Sequence, residues 1–179
     1  MEKSTVIYQK EEILHSLADS FTKVSQLVGS IDEAQFLHKP GIKWSIAENL
    51  DHLIRSTKGL ASALKMPKIT LRAFGIPNRD SRAFQAIVEK YHSKLQTGGM
   101  ATGPYVPEKD VPLVADTLLQ NWQMIGAKFD KRLSDWTEKQ LDQYLLPHPL
   151  LGKLTIREMM FFTIYHNGHH LAAMRALLG

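Results

Sequence analysis

The sequence contains no cysteine, and this absence excludes several kinds of chemistry. Without cysteine there is no disulfide framework, no cysteine-ligated zinc ribbon and no thiolate nucleophile within the chain. Sulfur chemistry at this protein would therefore need a thiol from outside.

Long apolar runs and blocks of like charge are also lacking. No stretch reaches the roughly 18 apolar residues of a membrane span, and the first four residues, Met-Glu-Lys-Ser, do not resemble the start of a signal peptide. The net charge of +4 comes from 22 basic and 18 acidic residues spread along the chain, without the basic patch typical of nucleic-acid readers. We expect a cytoplasmic protein that binds neither a membrane nor nucleic acid.

What the sequence does contain is ordinary globular composition. Its 179 residues are 44% hydrophobic and 22% charged, which excludes a disordered or fibrous chain. At roughly 100 to 200 residues per domain, we expect one domain over residues 1–179 with one principal site.

Strand-like alternation is nearly absent, and helical spacing of apolar residues dominates. A shorter helix is expected from Arg82 to Leu95 inside a long crossover, and Pro147 to Lys153 is interpreted as an ordered loop. Four longer segments have the pattern of core helices: about Thr5 to Gly29, Ser45 to just before Pro67, Val114 to Leu133, and Thr155 to about Leu178. The sequence predicts an all-α four-helix bundle with the crossover between the second and third core helices.

Two of these helices have capping boxes at their predicted starts. Ser45 with Glu48, and Thr155 with Glu158, have the spacing in which a hydroxyl and a carboxylate satisfy each other's backbone N–H groups. These pairs fix where the second and last core helices begin.

Eight histidines are many for this length, and two lie one turn apart on the last helix. His166 and His170 share the apolar face of that helix, so both imidazoles point into the bundle and could bind one metal ion. The alternative is a pair of core histidines satisfied by ordinary hydrogen bonds. His169 lies close to the same face and is expected to line the pocket or support the ligands from outside.

A third ligand would have to come from another helix, where His15, His52 and His92 are the candidates. Helical projection favours His52, which lies on a strip of small residues beside the core stripe. That strip, which includes Asn49, leaves room for an ion and a bound molecule. The competing interpretation of His52 is a half-exposed boundary residue.

Glu48 precedes His52 by one turn, and three roles are open to it. It could orient the His52 imidazole, act as a base, or serve only the capping box, which is the favoured role. Trp122 is expected in the core of the third helix, with pocket lining as its minor alternative.

Three segments together resemble a known family: Lys43-Trp44-Ser45-Ile46-Ala47-Glu48-Asn49-Leu50-Asp51-His52-Leu53, Pro149 to Glu158, and Tyr165-His166-Asn167-Gly168-His169-His170. They resemble the DinB-like superfamily of metal-binding four-helix bundles, including YfiT-type proteins regarded as metal-dependent hydrolases and the bacillithiol- and mycothiol-dependent S-transferases. The resemblance implies a divalent metal, usually zinc or nickel, held at positions matching His52, His166 and His170. It also implies an open metal face and frequent homodimers.

These expectations combine into a metal-dependent enzyme acting on a small molecule. The two reactions considered are hydrolysis and transfer of a low-molecular-weight thiol cosubstrate to an electrophile. The alternative is a non-catalytic binding or stress-response module that the metal merely stabilises.

Overall fold

A computed structural model describes residues 9–108 and 112–179 of the chain. Its helices and strands, in chain order, are α1 (Lys10–Gly29), α2 (Glu33–Leu37), α3 (Ile46–Lys65), α4 (Lys68–Leu71), α5 (Phe84–Gln96), α6 (Ala115–Ser134), β1 (Leu145–His148), β2 (Gly152–Thr155) and α7 (Ile156–Arg175). Short 3₁₀ turns cover Arg72–Phe74, Gly103–Tyr105 and Lys139–Asp142.

The four long helices close into a bundle. Helix α3 packs against α6, α6 against α1, α1 against α7, and α7 back against α3. Their shared interior holds large, fully buried side chains such as Trp122, Phe129 and Phe161. The predicted four-helix bundle is confirmed, with α4, α5 and the connecting loops forming the crossover between α3 and α6.

The predicted capping boxes set the starts of two core helices. Ser45 Oγ accepts from Glu48 N, and Glu48 Oε2 accepts from Ser45 N at 2.8 Å, so α3 begins at Ile46. Thr155 and Glu158 do the same for α7. For α1, the predicted start at Thr5 lies outside the described residues, and the described helix begins at Lys10.

The segment interpreted as an ordered loop, Pro147 to Lys153, instead forms most of an antiparallel β-hairpin. Strands β1 and β2 pair from Leu145 opposite Thr155 to His148 opposite Gly152, whose φ of +73° suits glycine. Each strand has only four residues, too few for alternation to be visible in the sequence. The hairpin leads directly into α7 and forms one wall beside it.

A buried ion-pair cluster fastens the crossover to the start of α7. Glu158, with no exposed surface, accepts from Arg79 at 2.6 and 2.8 Å and from Arg82 N at 2.8 Å. These contacts hold the Glu158 pKa below its usual value, although burial acts in the opposite direction. These ion pairs position α5, which packs along α7.

Among the described residues, no helix is both long enough and apolar enough to cross a membrane.

Candidate metal centre

Three histidines from two helices meet inside the bundle. His52 of α3 and His166 and His170 of α7 are all buried, and each offers a ring nitrogen within 4.8 Å of the other two. The Nε2 atoms of His52 and His166 are 3.1 Å apart. We refer to these residues as the three-histidine cluster.

The orientation of His52 is fixed by the crossover. Its Nδ1 lies 2.6 Å from the carbonyl oxygen of Tyr105, in the 3₁₀ turn that covers this side of α3. Because a carbonyl can only accept, Nδ1 carries the proton of the neutral ring. The Nε2 lone pair therefore points toward His166.

Asn49 fixes the orientation of His170 in the same way. The Asn49 amide group donates to Ser45 O at 2.8 Å and to Trp44 O at 3.3 Å, so its Oδ1 faces the other direction. That oxygen lies 2.7 Å from His170 Nδ1, which must donate to it. His170 Nε2 is thus left with a lone pair for the centre of the cluster.

Burial keeps all three rings neutral. Desolvation lowers the pKa of His170 to about 2, with further lowering from His52 and His169. Desolvation also takes the pKa of His166 well below its usual value, and neighbouring histidines add to this shift. For His52 burial lowers the pKa, and the Tyr105 carbonyl and Asp51 oppose it only in part.

This donor set fits a divalent ion of the zinc type. Tetrahedral coordination at metal–nitrogen distances of 2.0 to 2.1 Å places ligand nitrogens about 3.3 Å apart, close to the spacing of the His52 and His166 nitrogens. Carbonyl and amide partners on the outer nitrogens are the usual supports of metal-binding imidazoles. Two of the three rings, those of His52 and His170, thus turn a lone pair toward the centre of the cluster, as binding of an ion requires.

The cluster opens into a cavity of about 440 Å³ between α3, α5, α7, the hairpin and the loop around Met100. All three histidines line it, as does Trp44, whose ring lies 5.0 Å from that of His52. The volume falls within the roughly 300 to 1,000 Å³ of small-molecule sites. The candidate metal centre therefore has an adjoining space for a bound molecule.

The other candidate residues divide between the cavity and the bundle core. His169 lines the cavity, and Asn49 supports His170 from outside. Glu48 is engaged in the capping box and lies 2.5 Å from Lys39 Nζ. Trp122 packs against Phe21 and lies outside the cavity lining, which agrees with its favoured interpretation as a core residue.

The remaining candidates for a third ligand lie apart from the cluster. His15 is exposed on α1, and His92 on α5 hydrogen-bonds the Tyr165 hydroxyl.

His148 is a cavity residue that the sequence interpretation missed. Its Nδ1 accepts from the backbone N–H groups of Leu150 and Leu151, at 3.2 and 3.1 Å, and its ring lies 4.3 Å from Phe162. Burial, together with Lys90, lowers its pKa to about 4. The signal available was a polar residue between two prolines of a tight turn, where side chains commonly bond the backbone.

Fold and site together define a class: helical bundles with a three-histidine centre able to hold a divalent metal, beside a small-molecule cavity. The chain belongs to the DinB superfamily, whose family model matches residues 16–174. A comparison with curated proteins finds no match.

Among solved structures, the chain is similar to YfiT from Bacillus subtilis, a probable metal-dependent hydrolase with an unusual four-helix bundle topology. The TM-score is 0.61 and the identity 18%, over 99% of this chain and 90% of that one. This likeness supports the fold.

Proposed function

We propose that the protein is a metal-dependent hydrolase of small molecules, with His52, His166 and His170 as its metal ligands. The observation that carries the proposal is the convergence of buried, neutral imidazoles beside an open cavity. A divalent ion held there supplies Lewis acidity, which activates water toward an electrophilic centre.

The chain's own residues provide positioning and shielding. Tyr105 O and Asn49 Oδ1 hold the outer nitrogens of His52 and His170, so the inner nitrogens stay directed at one point. Phe162 stacks on His166 with ring centroids 4.9 Å apart and covers one side of the cluster. Transfer of a thiol would use the same centre, but no described residue of the cavity lining is an acidic or basic side chain, so charged groups of a cosubstrate that lie away from the ion would find no ionic partner in the wall.

The first test is elemental analysis of untagged protein purified without added metal. We expect about one zinc or nickel ion per chain in the wild type, and a loss of at least tenfold in each of His52→Ala, His166→Ala and His170→Ala. His15→Ala, at an exposed position on α1, is the matched control and should keep the ion.

A second measurement connects the ion to activity. Hydrolysis of nitrophenyl acetate by the metal-loaded protein should fall to background in His52→Ala and persist in His15→Ala. Full metal occupancy in all three ligand variants would refute the ligand set, and turnover that survives removal of the ion would refute the metal-dependent reaction. A single bound ion without turnover of any acyl or phosphoryl ester would indicate the stabilised binding module instead.

A further inference from the structure

The lining of the cavity beside the cluster limits the kind of molecule that the cavity can hold. Its described lining residues include no lysine, arginine, aspartate or glutamate. Large apolar side chains, among them Leu60, Phe74, Leu146 and Met159, form much of it. An ionic group placed among these side chains, away from the three-histidine cluster, would lose its hydration without gaining a charged partner.

Three polar side chains in the wall use their hydrogen-bonding groups within the protein itself. The hydroxyl of Thr57 donates to Leu53 O at 2.7 Å, and that of Thr163 to Met159 O at 2.8 Å. His148 uses Nδ1 to accept two backbone N–H groups and stays neutral near pH 7 because its pKa is about 4. The wall therefore presents less polarity than its composition suggests.

The entrance is apolar as well. Met66 at the end of α3 is 37% exposed and Met100 in the loop after α5 is 68% exposed, and both line the cavity. Methionine is flexible and polarizable, so such side chains adapt to apolar molecules of different shape. The three-histidine cluster, by contrast, is buried, so it lies deeper than these methionines.

We propose that the cavity binds an uncharged, predominantly apolar small molecule whose single polar group faces the three-histidine cluster. The reaction that the bound molecule undergoes rests on the proposed function. Its binding does not, because the apolar wall is present with or without an ion. The substrate class that follows is a neutral ester, amide or lactone with an apolar body. Molecules whose charged groups would lie against the apolar wall fall outside it.

The test uses two fluorescent probes with the same aromatic skeleton, neutral N-phenylnaphthylamine and its sulfonated counterpart anilinonaphthalene sulfonate. Both are titrated into the protein as purified, with metal content measured on the same sample, and again after dialysis against a chelator. We expect the neutral probe to bind one per chain in both preparations and, after dialysis against the chelator, at least tenfold more tightly than the sulfonate, because only the sulfonate carries a charge that the wall must desolvate.

Variants then locate the binding. Gly59 lines the cavity, and a Cβ there would meet no atom within 4 Å, so Gly59→Lys should fold normally. This substitution should weaken binding of the neutral probe at least threefold and strengthen binding of the sulfonate. Ala63→Lys places the charge at a half-buried lining position and should act more strongly, whereas Ser62→Lys, exposed on the same helix and outside the lining, should change neither affinity by more than twofold.

Several results would overturn the inference. Equal or tighter binding of the sulfonate by the metal-free wild type would do so, as would absence of saturable binding of the neutral probe. Identical effects of Gly59→Lys and Ser62→Lys would place the probe outside the cavity. If the sample binds the neutral probe but holds no metal even after reconstitution, the proposed function fails while the cavity inference stands.

Discussion

Replacing Asn49 with leucine tests whether the cluster is oriented from outside its ligands. Leucine has the same number and branching of side-chain heavy atoms as asparagine but removes the oxygen that lies 2.7 Å from His170 Nδ1. Without that acceptor the ring is free to rotate and to place its proton on either nitrogen. Such supporting contacts contribute 10- to 100-fold to metal affinity, so we expect a loss of about 1.4 to 2.7 kcal/mol in zinc binding.

The substitution also removes hydrogen bonds from the amide group to Ser45 O and Trp44 O. At about 1 kcal/mol for each bond, the free energy of unfolding of the metal-free protein should fall by about 1 to 3 kcal/mol. Urea unfolding of the metal-free protein measures this cost separately from zinc affinity, which is measured by titration in competition with a chelator.

Two further variants separate orientation from general destabilisation. Thr57→Val removes a buried hydroxyl from the same helix. That hydroxyl donates to Leu53 O and to no residue of the three-histidine cluster, so zinc affinity should stay within twofold of the wild type. Asn49→Asp keeps an oxygen for His170, and its zinc affinity should lie within tenfold of the wild-type value. Wild-type zinc affinity in Asn49→Leu, with the expected loss of stability, would refute the reasoning that Asn49 orients His170.

Two other predictions concern acid and the start of α3. In the metal-free protein, the unfolded chain binds more protons than the native state below pH 6.5, because burial lowers the pKa of His148 to about 4 and also lowers the pKa of each cluster histidine. The free energy of unfolding should therefore fall as the pH is lowered from 6 to 4, with His170, whose pKa is about 2, contributing up to about 1.4 kcal/mol per pH unit, and a flat profile in urea unfolding would contradict this. Glu48→Gln keeps an oxygen for Ser45 N but loses the ion pair with Lys39, so we expect unchanged metal content and a change in unfolding free energy below about 1 kcal/mol. Lost turnover at normal metal content would instead assign Glu48 a part in the reaction.

The parts of the fold set by local chemistry could be predicted from the sequence. The starts of α3 and α7 follow from hydroxyl and carboxylate groups three residues apart, which need no tertiary partner. The hairpin could not be predicted in this way, because each strand has four residues and β1 contains a proline. Its stability comes from pairing between strands and from contact with α7, which are tertiary effects.

The candidate site shows the same division. Spacing alone places His166 and His170 on one face, since residues four apart lie one turn apart. Projection of α3 puts His52 only at the edge of the core stripe, yet it is 6% exposed. The difference is due to the Gly103–Tyr105 turn, which covers that side of α3 and supplies the carbonyl for His52. No pattern in α3 itself could indicate a cover that arrives from 53 residues away.

The capping boxes also determine where the chain can tolerate insertions and deletions. His52 lies seven residues after the cap at Ser45, so one residue inserted between them would rotate the imidazole by about 100° and shift it by about 1.5 Å. The same holds for α7 between Thr155 and His170. An insertion near the exposed Gly41 leaves every cap-to-ligand interval unchanged. Length variation compatible with the site is therefore confined to segments outside these two intervals, which gives protein engineers a simple map of where the chain can be lengthened.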